Sequence, residues 1–375
     1  MLQAAARRAL RGAAARGRRA AGGGAGGGAG GGGGGAGAHF DPEAKAAHRA
    51  RAARLGGAGA EPEPLQEEVV GRLLGRLEDC KRASGTVAVV GGALDAAARG
   101  LAARPEVERV VYCDAGAEPL LAARAAHEAA LPPGGGGPAC DFVQCDEGSL
   151  LAGLSELNGG SSAGWLDAVV CPLSLHWAND VPGVMVQCRE ALRPDGLFLA
   201  ALFGEGTLEE MRIACAVAEM EREGGASART SPLVRVRDAG NLLGRAGLGL
   251  PVVDVDTLTV NYPDAFAAVD HLRRMGEQNA NTRRRRALPR DTALAAGVAY
   301  QYLFGSSGGG GTGGGGEGGG GRLGEAVQGT FEVVYMGGWR PDKSQQKPAA
   351  RGSGTVSLAD LDKELGPRPG QEGAS

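Results

Sequence analysis

Three unbroken apolar runs, Val87-Ala88-Val89-Val90, Val110-Val111-Tyr112-Cys113 and Ala168-Val169-Val170-Cys171, punctuate the first half of the chain, and each gives way to a loop and a helix-like segment. Apolar runs without polar alternation suit strands of a parallel sheet covered on both faces. The pattern is clearest over residues 165–204, which read as strand, loop, helix, turn and strand. Pro194 cannot continue the helix, and Asp195-Gly196 turns the chain into the second strand, so the helix makes a right-handed crossover. Leu65, Val69, Leu73 and Leu77 recur at i+4, with Glu67 and Glu68 in the first turn and Lys81 and Arg82 in the last, which predicts an amphipathic helix with charges matched to its dipole. Leu208, Met211, Ala214 or Cys215, and Ala218 predict a lid-like helix over residues 207–223. Another helix is expected over 237–246, a more exposed, alternating strand over 252–260, and a last, antiparallel strand over 330–339. The fold class is α/β and Rossmann-like.

Composition trims this picture at the ends. Of 375 residues 68 are glycine and only 4% are aromatic, so less sequence is available for a core than the length suggests. The first segment carries Arg7, Arg8, Arg11, Arg16, Arg18 and Arg19 and has no acidic residue before Asp41, which reads as an organelle transit peptide or else as a disordered basic tail. The organisation expected is a transit peptide and Gly-rich spacer over 1–38, N-terminal helices over 39–84, the main domain over 85–345 with a Gly-rich insertion at 305–321, and a tail over 346–375. A formal net charge of -3 gives no electrostatic reason to expect a nucleic-acid partner. Cys80, Cys113, Cys140, Cys145, Cys171, Cys188 and Cys215 are scattered without a Cys-x-x-Cys and read as buried thiols in a reducing compartment. No apolar run approaches the length of a membrane span.

The stretches LDAVVCPLSLHW and ALRPDGLFLAALFG resemble the fourth and fifth strands of the class I S-adenosylmethionine-dependent methyltransferase fold, a seven-stranded, mostly parallel sheet with helical N-terminal and lid elements. More narrowly, HFDPEAKAAHRARAARL, NLLGRAGLG, RDTALAAGVAYQYL and YMGGWRPDKSQQKPAARGSGTVSLADL resemble the mitochondrial complex I assembly factors of that fold, described both as methyltransferases and as arginine hydroxylases. The resemblance implies a matrix location peripheral to the inner membrane, S-adenosyl-L-methionine as cofactor, and a complex I subunit or assembly intermediate as partner. Hydroxylation of an arginine in an iron–sulfur subunit is the activity implied.

Site residues follow from the same alignment of motifs. In the fold, an acid ends the first strand and spaced glycines let the cofactor approach the backbone. Here Gly91 keeps the first glycine and Gly92 follows it, but Val89 stands at the acid position and Ala93 and Asp95 at the later glycines. Gly91-Gly92 is therefore either a cofactor loop or simply a tight strand-to-helix turn. Asp114 ends the second strand, where a carboxylate can accept both ribose hydroxyls, and Asp146 either takes the position beside the adenine or is a surface loop acid. Gly91, Asp114 and Asp146 are expected to border one nucleoside-sized crevice. Ser174, His176, Trp177, Asn179 and Asp180 follow the fourth strand. His176 is the candidate catalytic residue, as a base or to orient a guanidinium, and Trp177 could stack on one; the other reading has Leu175 and Trp177 packing the next helix and His176 capping it. Lys45, His48, Arg49, Arg51 and Arg54 lie on a first helix that either covers the cofactor side or is solvated. Arg283 to Arg286 read as a solvated helix face or, less directly, as a dock for an acidic partner. Asp254 and Asp256 share a face without a third ligand, and no metal set is assigned. A binding-only assembly chaperone with a degenerate cofactor loop remains the alternative to an enzyme.

Overall fold

The computed structural model describes residues 38–56, 61–80, 85–132, 136–161, 163–229, 231–285, 287–305, 326–346 and 352–353. Residues 1–37 of the proposed transit peptide and spacer, and residues 306–321 of the Gly-rich insertion, lie outside them. One compact unit extends to Pro341, and the tail from Asp342 forms a second.

Among the described residues two helices come first, α1 (Pro42–Leu55) and α2 (Pro64–Glu78). A βα alternation follows: β1 (Gly85–Val90), α3 (Leu94–Ala102), β2 (Val107–Asp114), α4 (Ala117–Ala130), β3 (Ala139–Gln144), α5 (Leu150–Ser155), β4 (Leu166–Pro172), α6 (Val181–Ala191) and β5 (Leu192–Phe203). The rest is α7 (Glu209–Glu223), α8 (Val236–Arg245), β6 (Gly249–Tyr262), α9 (Ala265–Met275), α10 (Arg290–Phe304) and β7 (Val327–Trp339). The sheet has seven strands in the order β3-β2-β1-β4-β5-β7-β6. β7 runs antiparallel to both β5 and β6, and the other neighbours are parallel.

The unbroken apolar runs are explained by two cores, one on each face. Val87 and Val89 of β1 join α2, α3 and α9 on one side, while Ala88 and Val90 join α5, α6 and α8 on the other. All seven residues of β4 are buried. At about 1.5–3 kcal/mol for each Val, Leu or Phe taken fully from water, a central strand of this kind fixes the register of its neighbours. Residues 252–260 are the exposed edge strand, with Asp254 paired to Arg76 and Asp256 to Arg72. The antiparallel strand lies one place inside that edge, between β5 and β6.

Two local expectations fail. α2 stops at Glu78, so its last turn carries Arg76 rather than Lys81 and Arg82, which lie outside the described residues. The arginines from 283 onward are not helical: Arg284 bonds the Asn281 carbonyl and pairs with Asp41, Arg285 pairs with Glu223, and Arg286 is outside the described residues. Half of that run is tied inward, to the start of α1 and the end of α7.

Candidate active site

At the carboxyl ends of the parallel strands, β1 leads into Gly91 and Gly92, both with positive φ (+61° and +70°). The Gly91 N–H donates to the Cys113 carbonyl, and the Ala93 N–H to the Pro172 carbonyl. That pair of bonds stretches the turn between β2 and β4, with both glycines in the left-handed region that other residues avoid. Asp114 ends β2, is 1% exposed, and accepts the Gly116 N–H at 2.7 Å. Asp146 is exposed and accepts the Gly148 N–H at 3.0 Å, so its carboxylate caps the short turn Glu147–Ser149.

The group that brings these loops together is Arg49, from α1. Asp41 caps this helix through the Ala44 N–H and pairs with Arg284. α1 is not amphipathic by its apolar residues. Instead it buries Lys45 and Arg49, one turn apart on one face. Arg49 Nη1 donates to Glu147 Oε1 at 2.7 Å and to Asp114 Oδ2 at 3.3 Å. A methyl group at Gly91 would stand 2.7 Å from Glu147 Oε1 and 3.2 Å from Arg49 Nη1. The space expected between Gly91, Asp114 and Asp146 thus has Arg49 and Glu147 in it. Burial pushes the Glu147 carboxyl up, but Arg49 outweighs that and leaves it below the ordinary range. At the longer contact burial wins and Asp114 is raised. The Arg49 Nε and Nη2 are buried and have no hydrogen-bond partner among the described residues.

Lys45 serves the next pocket along. Its Nζ donates to the Gly276 carbonyl at 2.8 Å and to Glu277 Oε1 at 3.0 Å, and lies 4.0 Å from the centre of the Trp177 ring. Glu277 Oε2 accepts from Trp177 Nε1 at 2.6 Å and faces His176 Nε2 at 2.9 Å. His176 is 3% exposed, and burial pushes its imidazole down against the opposing pull of Glu277. The neutral ring that results carries its hydrogen on Nε2, toward the carboxylate. Asp180, not His176, caps α6, through the Gly183 N–H at 2.9 Å. Asn179 holds the Phe40 N–H and carbonyl, fastening the chain just before α1 to this loop. Ser174 donates to the Val90 carbonyl at 2.9 Å.

Burial raises the Glu277 carboxyl, but the Lys45 ammonium and the His176 and Trp177 N–H groups hold it well below the ordinary carboxylate range. A carboxyl lowered in the folded state stabilises fully above its ordinary value of 4.5 and loses that stabilisation as pH falls below it. Urea denaturation of the wild type and Glu277→Gln from pH 6 to pH 3 is therefore expected to give curves that converge on acidification. A gap that stays constant over that range would contradict the electrostatic account.

A cavity of about 800 Å³ opens on the far side of Arg49, among α1, α2, α3, the end of β6 and α9. Arg49, Gly92, Asp95, Tyr262 and His271 are in its wall; Asp114, Asp146 and His176 are not. Arg49 therefore divides the cavity from the buried ends of β1 and β2.

These residues suit S-adenosylmethionine at two of its three polar points. Asp114 has the chemistry to accept ribose hydroxyls, but it is 1% exposed and paired here with Arg49 and the Gly116 N–H, and the two unpartnered Arg49 donors suit a carboxylate. The ammonium lacks its acid, because Val89 is fully buried in the first core. Sequence reasoning placed Gly91, Gly92 and Asp114 at this edge but missed Glu147 and Glu277. The retrievable signal was Lys45 and Arg49 at i and i+4 on a helix without an apolar face, which demands buried carboxylates elsewhere.

The strand order, the reversed seventh strand and a glycine turn beside a buried strand-end aspartate define a class I methyltransferase-fold protein. No family model matches the chain. It is 43% identical over 197 residues to the mitochondrial arginine-hydroxylase NDUFAF5 of Danio rerio, covering 52% of this chain and 56% of that protein. It is 30% identical over 278 residues to a malonyl-[acyl-carrier protein] O-methyltransferase of Laribacter hongkongensis, covering 74% of this chain and 83% of that enzyme. The chain belongs to the methyltransferase-fold family that contains these relatives, although its match spans about half the length of the arginine-hydroxylases. Among solved structures, phosphoethanolamine N-methyltransferase 2 of Haemonchus contortus in complex with S-adenosyl-L-methionine is similar at a TM-score of 0.37 and 13% identity, over 73% of this chain and 52% of that one.

Proposed function

We propose that this chain is an S-adenosylmethionine-binding enzyme of the mitochondrial matrix, peripheral to the inner membrane, that modifies an arginine of an iron–sulfur subunit of complex I. Hydroxylation is the modification favoured, by the 43% identity to proteins named arginine-hydroxylases. The observation that carries the cofactor reading is Asp114, buried at the end of β2 beside the Gly91-Gly92 turn and within reach of an arginine with two spare donors.

The cofactor, when bound, supplies an electrophilic methyl group, which serves methylation; hydroxylation instead takes its oxygen atom from an oxidant such as dioxygen, with electrons from a separate donor. Asp114 would hold the cofactor's ribose, Arg49 its carboxylate, and the glycine turn would admit it to the backbone, while Asp146 rims the adenine side. α1 covers this edge and excludes water, which strengthens each polar contact beneath it. A second reading, a binding-only assembly chaperone, is favoured by one feature: the apolar Val89 where the ammonium needs an acid.

Calorimetric titration of the mature chain with S-adenosylmethionine tests the proposal. Saturable binding is expected, reduced at least about tenfold by Asp114→Ala, the loss of one charge-assisted hydrogen-bonding group. No binding by a folded wild-type chain leaves the chaperone. Mass spectrometry of complex I subunits from cells lacking the protein then separates a missing oxygen from a missing methyl group.

A further inference from the structure

We infer that the box formed by Trp177, Glu277 and the Gly276 carbonyl is the recognition site for the guanidinium of a substrate arginine, and that Lys45 fills it in the substrate-free chain. The inference deepens the proposed function and rests on its arginine substrate. The box has a flat aromatic floor, a carboxylate wall and a carbonyl, and a cation already in it. Burying an ammonium and a carboxylate here is no stability device, since well-packed apolar residues of similar volume do as well or better. Burial pulls Lys45 down to about 8 even with Glu277 beside it. The occupant is thus held at a cost, on a four-carbon stem that can swing away.

The donor inventory points to a guanidinium rather than a second ammonium. Lys45 Nζ, a compact charge, meets Glu277 Oε1 and the Gly276 carbonyl from above the Trp177 ring. A guanidinium lies flat on an indole face and projects five N–H groups in its own plane, so it meets the same carboxylate and carbonyl side by side. Glu277 is oriented for this from behind, by the Trp177 and His176 N–H groups on its other oxygen. Arg49 lies one turn beyond Lys45 on α1, which places the box next to the proposed cofactor site.

Chemical rescue tests the assignment. Lys45→Ala empties the box and leaves Glu277 without its cation, and N-acetylarginine amide is expected to raise the melting temperature of this variant in a saturable way. N-acetylcitrulline amide, the neutral isostere, is expected to do nothing, and N-acetyllysine amide less than the arginine probe. Adding Glu277→Gln to Lys45→Ala should abolish the rescue. Should Lys45→Ala fail to fold, Lys45→Met keeps the buried stem, and calorimetry should show it binding the arginine amide at least about tenfold more tightly than the wild type does. Rescue by citrulline, equal rescue by lysine, rescue that survives Glu277→Gln, or no gain in either Lys45 variant would overturn the inference. S-adenosylmethionine titrated into the same samples separates the two ideas: cofactor binding without arginine binding sinks this one alone, and the reverse sinks the cofactor reading alone.

Discussion

Glu277→Gln in the otherwise wild-type chain is expected to lower stability by about 3–5 kcal/mol, the cost of leaving one member of a buried ion pair without its partner. Lys45 would keep its place beneath α1 with only the Gly276 carbonyl and the Trp177 face to offset its charge. His176 and the Trp177 indole would lose a charged acceptor in the same step. The exposed pair Arg72–Glu68 on α2 supplies the scale: there Glu68→Gln should cost no more than about 0.5 kcal/mol. Urea denaturation monitored by tryptophan fluorescence measures both. A Glu277→Gln loss below about 1 kcal/mol would mean that the cluster is hydrated, and the α1 face would then not be the sealed wall described above.

The parts of this chain that could be read in advance are those where one period governs one element. The runs 87–90, 110–113 and 168–171 are apolar at every position because both faces of the sheet are covered, so they announce parallel strands without tertiary information. Leu65 to Leu77 announce α2 in the same way. The start of α1 and the arginines at 283–285 were harder, because there the charged residues are the packed ones. Lys45, Arg49 and Arg284 look like solvated surface in sequence, and only the fold brings Glu277, Glu147 and Asp41 to meet them from 232, 98 and 243 residues away. Asp146 shows the opposite limit. An acid past a strand end can hold a ligand, cap the next turn or do both, and in Asp146 one oxygen caps the turn Glu147–Ser149. His176 was identifiable as unusual, but its role depends on Glu277, a residue that no local motif joins to it.

Gly92→Ala is expected to cost at least about 3 kcal/mol and to abolish cofactor binding, a larger effect than Gly91→Ala. Both positions have positive φ, which an alanine adopts at about 1–2 kcal/mol. What differs is the neighbour. A Cβ at Gly92 would stand 1.5 Å from the Pro172 carbonyl oxygen and 2.6 Å from its carbon, in a strand paired to β5 through Ala201 that cannot retreat. The turn must lift instead, breaking the Ala93 N–H bond to that same carbonyl, for about a further 1 kcal/mol, and moving the start of α3. At Gly91 the nearest atom is the end of a side chain, Glu147 Oε1 at 2.7 Å, which can rotate, although Ser174 Cβ at 2.9 Å must also give. Gly91→Ala should therefore stay folded while weakening the Arg49–Glu147 contact. At Gly71 on α2 an added Cβ would meet nothing within 4 Å, and Gly71→Ala should stabilise by about 0.5–1 kcal/mol. Denaturation midpoints for the three variants, with S-adenosylmethionine titrated into each, give the ranking. If Gly92→Ala proves as mild as Gly91→Ala, the turn does not cross the end of β4 as described, and the placement of the candidate cofactor loop falls with it.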